Sequence, residues 1–241
     1  RVRLGILLSA GVLCPFCGSD HVSPETRDLI EEAHLRMLTL DAYVQAIAPS
    51  HKRAGKWAFD SAAMEKGGLD AAVLVVSIPR FPPTPEGRET AKRAAFDSIA
   101  SIKQTIEQSP ERIGLGLAPE DAYRFEKEGR RTAFIGLGIG TAIGMDLSLL
   151  GSFYEHGVRF LKLRGDPDSA ICEDRGLGEF GVKVVHECNR LGLVIDVGGC
   201  SPRAIADVLA ASRAPVVYSG GAALALCDAP DNLADGTIEA I

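Results

Sequence analysis

The chain has 241 residues, 46% of them hydrophobic and 24% charged, which is ordinary globular composition and enough for one large core. A net charge of −6 and a pI near 5.4 argue against nucleic acid or an anionic membrane as a partner, since both need a basic patch and no basic run of useful length occurs. A single α/β domain is the default expectation.

Arg1-Val2-Arg3 followed by the apolar run Leu4 to Leu13 has the charged start and apolar middle of a secretory signal peptide, and the run is too short to span a bilayer. Residues 1–22 are therefore read as a signal remnant or a frayed terminus, residues 23–241 as the folded domain, and the protein as exported. Six cysteines, at 14, 17, 172, 188, 200 and 227, are scattered except for Cys14-Pro15-Phe16-Cys17, with His21 just downstream. A zinc knuckle needs a second ligand pair and a thioredoxin-like site needs a close strand and helix, so in an exported chain a local disulfide or a cleavage site suits this segment better than a metal.

Ser23-Pro24-Glu25 signals a helix to about His34, and Met37 to Val44 reads as the first strand. Asp60 to Gly67 is a short helix closed by Gly67-Gly68, and Leu69 to Ile78 is a continuous apolar run suited to a strand covered on both faces. From Glu86 to Gln108, Ala91, Ala95, Ile99, Ile102 and Ile106 recur at helical spacing with charges opposite. Ala118-Pro119-Glu120 starts the next helix, to Gly129, and Thr132 to Leu137 is the strand after it. The glycines at 136, 138, 140 and 144 fail the spacing of a dinucleotide turn, and no Gly-Lys-Ser/Thr follows for a P-loop. Asp146 to His156 reads as a capped helix, Val158 to Leu163 as a strand and Glu179 to Leu191 as a helix. His186-Glu187-Cys188 on that last helix resembles a ligand cluster, but His186, a lone His on an outer helix, reads as a solvated residue.

The stretch from Gly192 to Asn232 is the most informative. Leu193 to Val197 and Ala214 to Ser219 are two strand signals, and between them Ser201 and Pro202 form an N-cap and first helical residue, with Ile205, Val208 and Leu209 on one face. This is a βαβ unit of a parallel sheet.

These segments resemble, in order, the membrane (renal) dipeptidase family of zinc peptidases. The likeness runs from about Ser23 to the C-terminus and rests on Leu38 to Asp41, Gly67-Gly68-Leu69-Asp70, Phe153-Tyr154, Gly157-Val158-Arg159, Asn189-Arg190-Leu191-Gly192 and Pro215-Val216. It implies a (β/α)8 barrel of the metal-dependent hydrolase kind, of which six strands are counted where closure needs eight. An open barrel exposes strand edges, so association or aggregation is expected. The resemblance also implies two zinc ions that generate hydroxide and polarise a dipeptide carbonyl.

The family's chemistry falls on altered residues. Its first strand ends in Asp-Thr-His-Val-Asp, and the ligand positions there are Tyr43 and Gln45. The metal-bridging Glu corresponds to Gly138, the substrate-side His to Gly165, the two zinc-binding His to Gly199 and Gly220, and the carboxylate-gripping Arg to Asp231. Glycine offers no side-chain donor, and a catalytic zinc needs about three protein ligands. The expectation is a non-catalytic homologue with no metal cofactor that binds a small ligand or protein partner. Two readings compete with it: a zinc dipeptidase with an unorthodox ligand set drawn from Asp41, Asp196 and the cysteines, and a decaying or incomplete copy with no function of its own. Dimerisation and the partner's identity stay open.

Side chains alternate along a strand, so Leu161 and Leu163 should face the helices and Lys162 and Arg164 the barrel interior, where the family has two threonines. A buried cation needs a partner. Lys162 and Arg164 are therefore expected to pair with Asp41 or Asp196 or to line an anion pocket, unless strand phase sends them out into solvent.

Overall fold

The computed structural model describes residues 37–46, 61–76, 84–138, 142–164, 171–173, 175–229 and 232–241, with isolated positions between 23 and 33 and at 78, 81 and 82. The expected leader, Cys14, Cys17, Gly165 and Asp231 lie outside the described residues.

Its elements are β1 (Leu40–Ala46), α1 (Ser61–Lys66), β2 (Ala71–Val76), α2 (Pro85–Glu107), β3 (Ile113–Leu115), α3 (Pro119–Lys127), β4 (Arg131–Gly138) and α4 (Ser148–Glu155), followed by β5 (Val158–Lys162), β6 (Cys172–Glu173), β7 (Gly176–Leu177), α5 (Glu179–Leu191), β8 (Val194–Asp196), α6 (Pro202–Ala211) and α7 (Asp235–Ala240). The main sheet is parallel, in the order β1-β2-β4-β5-β8. Beyond β8, Val217 forms a single parallel bridge with Asp196, fixed by Val217 N–H to Ile195 O and Val197 N–H to Val217 O, each 2.8 Å. The strand expected over Ala214 to Ser219 thus takes its sixth place in the sheet but shrinks to one bridged residue. Pro215 lacks the N–H that would extend the ladder.

Alternation along each strand separates two apolar layers. Ala72, Leu74 and Val76 of β2, Ala133, Ile135 and Leu137 of β4, Leu161 of β5 and Ile195 of β8 share the main core with helical residues such as Ile99, Ile102, Phe153, Val184 and Val208. The opposite face carries Ala71, Val73, Val75 and Phe134, with Leu40, Tyr43 and Phe160 against them. Every residue of β2 is buried, as its unbroken apolar run requires. Helix starts follow the sequence signals: Thr84 Oγ1 accepts Gly87 N–H at 3.1 Å ahead of Pro85, and Ser201 Oγ accepts Ala204 N–H at 3.2 Å ahead of Pro202. The expected cap of α4 differs by one residue. Leu147 is the cap, and Asp146 instead accepts Ser148 N–H at 3.0 Å in the preceding turn.

A polar clamp holds the opening ends of three strands. Asp70 Oδ2 accepts Thr39 N–H and Thr39 Oγ1–H, both at 2.9 Å, while Oδ1 faces Arg131 Nη1 at 3.2 Å. Three strands have no counterpart in the sequence reading. β3 pairs with the start of β4, and Gly114 is needed there because a Cβ would enter the Phe125 ring. β6 and β7 form a two-stranded antiparallel hairpin before α5.

Candidate functional site at the strand ends

In a parallel sheet the side chains at the carboxyl ends of neighbouring strands converge, which is where barrels build their sites. Here the register places Gly138, Lys162 and Asp196 side by side on β4, β5 and β8. Leu161 and Leu163 are buried in the helix-facing core, and Lys162 takes the other face with Phe160.

The Lys162 ammonium is enclosed by named groups. Nζ lies 3.3 Å from Asp196 Oδ2, 3.0 Å from Ser219 Oγ and 4.7 Å from the centre of the Tyr43 ring. Ser219 Oγ also donates a short hydrogen bond to Asp196 Oδ2, so the hydroxyl is an acceptor to one ion and a donor to the other. Asp196 Oδ1 accepts Gly198 N–H at 2.8 Å and Ser219 N–H at 3.0 Å. The carboxylate, 4% exposed, therefore has four donors around it, which offsets the cost of burying it. Gly198 completes the cage by having no side chain: a Cβ would overlap Ser219 O and press on Lys162 Nζ.

The remaining expected residues divide. Gly199 and Gly220 both adopt a φ of +79°, in the left-handed region that favours glycine. A Cβ on Gly199 would stand 3.8 Å from Arg164 Cδ, so Arg164 lies over that turn; the neighbouring Cys200 thiol is pushed up by its hydrogen bond with Cys172 and by burial, with the Arg164 charge opposing. Gly220 follows Ser219 and faces open space. Gln45 is exposed at the end of β1. Asp41 does not join the cage: Oδ1 accepts Tyr43 N–H at 2.9 Å within its own strand, where the register with β2 shifts. Burial holds the Asp41 carboxyl above its ordinary range, with the Tyr43 bond opposing. Among the described residues, the carboxylate that reaches Lys162 is that of Asp196.

Residues 26–241 match the family model described as membrane dipeptidase, peptidase family M19. The chain belongs to the membrane dipeptidase family. The human protein named Dipeptidase 3 is 38% identical over 163 residues, which is 63% of this chain and 33% of that protein. Its rat counterpart is 33% identical over 161 residues, 62% of this chain and 32% of that protein. The chain thus spans about a third of the length of these curated relatives. The crystal structure of the probable dipeptidase PvdM from Pseudomonas aeruginosa superposes with a TM-score of 0.76 at 25% identity, covering 91% of this chain and 61% of that one. The fold is accordingly part of a (β/α) barrel of the dipeptidase type.

Among the described residues, the side chains at the strand ends do not fit the dinuclear zinc centre that the resemblance implies. Gly138, Gly199 and Gly220 supply no side-chain ligand, and the β8 carboxylate already holds an ammonium, which would repel a dication. Among the described residues, no cluster of three or more His, Cys, Asp or Glu side chains suits a metal. Sequence reasoning missed Ser219 and Gly198. The signal for Ser219 was its place at the end of the last strand, one residue before Gly220.

Proposed function

We propose that this chain is a non-catalytic member of the membrane dipeptidase family, in which the Lys162 ammonium stands at the strand ends in place of metal. The observation that carries this reading is the cage itself. Lys162 is bound to Asp196 and Ser219 and stacked on Tyr43, so the charge that a dication would bring is already supplied by the chain. A fixed cation hydrogen-bonded to a carboxylate neither ionises a water nor polarises a carbonyl as zinc does. The site then serves to bind a small ligand or a protein partner at the mouth of the barrel, and the charged, apolar N-terminus supports export of the protein.

The test is metal content and turnover together. The protein, purified and dialysed, should carry no stoichiometric zinc and should not hydrolyse dipeptides. Stoichiometric zinc, or dipeptide turnover abolished by a chelator, would overturn the reading in favour of a zinc dipeptidase with an unorthodox ligand set.

A further inference from the structure

Beside the cage, two thiols from separate elements meet. Cys172 Sγ and Cys200 Sγ are 2.9 Å apart, both are buried and neither is bridged. Cys172 begins β6, and the β6–β7 hairpin is held onto α6 where Leu177 N–H donates to Asp207 Oδ2 at 3.1 Å. Cys200 closes the turn after β8, its N–H donating to Val197 O at 3.0 Å, and immediately precedes the Ser201 cap of α6. Each sulfur is thus fixed by its own backbone contacts, and the two are separated by 28 positions in sequence. Juxtaposition of this kind is what disulfide formation requires, because neither element has to travel.

We propose that Cys172 and Cys200 form an internal disulfide when the protein meets a low-molecular-weight disulfide oxidant. One protein thiolate attacks a sulfur of the oxidant, forms a mixed disulfide and releases one small thiol. The second protein thiolate then attacks the protein sulfur of that intermediate, forms the Cys172–Cys200 bond and releases the second small thiol. Two electrons pass from the cysteine pair to the oxidant, and the two protons lost by the protein end on the two thiols released. The bond ties the hairpin to the turn that carries Gly198 and Gly199, so it fixes one wall of the Lys162 site. Cys188 provides a control: it is buried and burial foremost, with the charge of Glu187, pushes its thiol up to about 12, while the Cys200 thiol is also held up, by its hydrogen bond with Cys172 and by burial, so what sets the pair apart is the 2.9 Å contact and not ease of ionisation.

Trypsin separates the three cysteines, releasing Cys172 in residues 165–175, Cys188 in 184–190 and Cys200 in 191–203. The native protein would be incubated with oxidised glutathione, quenched in acid, alkylated, digested and analysed by mass spectrometry. The expected product is the 165–175 and 191–203 pair joined by a bond that reduction breaks, with 184–190 recovered alkylated. Oxidation should raise the Tm of the wild type and leave Cys172→Ser and Cys200→Ser unmoved. Recovery of both peptides alkylated, as separate glutathione adducts, or linked to other cysteines overturns the proposal. So does a linked pair that forms at equal yield in the denatured protein, since that would owe nothing to the native arrangement.

Discussion

Lys162 and Asp196 are register partners on adjacent strands, and their side chains close the gap to 3.3 Å with side-chain exposures of 16% and 6%. An ion pair this buried is costly to break from one side, because the survivor is left without its counter-charge. Lys162→Met should destabilise the fold by about 3–5 kcal/mol, and Asp196→Asn by a comparable amount. The double variant should cost less than the sum of the two, since it removes both charges at once. Urea denaturation of the four proteins gives the coupling directly. Strict additivity would show that the two charges do not depend on one another.

The Asp70 clamp makes a second prediction at the opposite end of the strands. Thr39 is 1% exposed and gives both its N–H and its hydroxyl to Asp70 Oδ2. Asp70→Ala leaves the Thr39 N–H buried without an acceptor, while the hydroxyl turns to Gly68 O at 2.9 Å, and should cost about 1–3 kcal/mol. Asp70→Asn keeps an acceptor and should cost clearly less. Urea midpoints at unchanged m-value would show it, and equal losses in the two variants would count against the clamp.

Local signals explain why so much of the fold was legible. α5 spans Glu179–Leu191, the range read for it, and the Ser201-Pro202 cap stands where its chemistry places it, whereas the Thr84 cap was not read and α2 begins at Pro85, one residue before the expected Glu86. The inward face of Lys162 follows from the burial of Leu161 and Leu163 on the other side. The choice of partner was not readable, because Asp41 sits at a register shift of β1 that turns its carboxylate to Tyr43 N–H. β3 has three residues, too few to show a period, and is set by Gly114 fitting under Phe125. Ser219 and the Cys172–Cys200 contact are products of tertiary approach, over 57 and 28 positions, and leave no local pattern.

Asp41 gives a pH dependence whose sign follows from burial. Its pKa in the folded protein lies above the ordinary value of 3.8, so the folded state binds the proton more readily than the unfolded chain does. The contribution of this group to stability is full below that ordinary value and is lost as pH rises through the higher, folded one. Asp41→Asn keeps an oxygen to accept Tyr43 N–H and cannot ionise. The variant should therefore match the wild type at low pH and exceed it in Tm at neutral pH. A variant less stable than the wild type at neutral pH would show that the charged carboxylate is favoured where it sits.

Glycine substitutions separate the closed part of the site from its open part. A Cβ on Gly198 would overlap Ser219 O and crowd Lys162 Nζ and Asp196 Oδ1, groups that are themselves bonded to one another and cannot retreat independently. Gly198→Ala should therefore cost about 1–3 kcal/mol or more through overpacking. It should also weaken the Lys162–Asp196 coupling in the same double-variant cycle. Gly220 has the left-handed φ of +79° but nothing within 4 Å of a Cβ, so Gly220→Ala meets backbone strain alone, about 1–2 kcal/mol, and should leave that coupling intact. Measuring the cycle in each background distinguishes the two mechanisms even where the stability losses are similar. Loss of the coupling in Gly220→Ala, or its persistence in Gly198→Ala, would mean that the cage is held from elsewhere than the β8 turn.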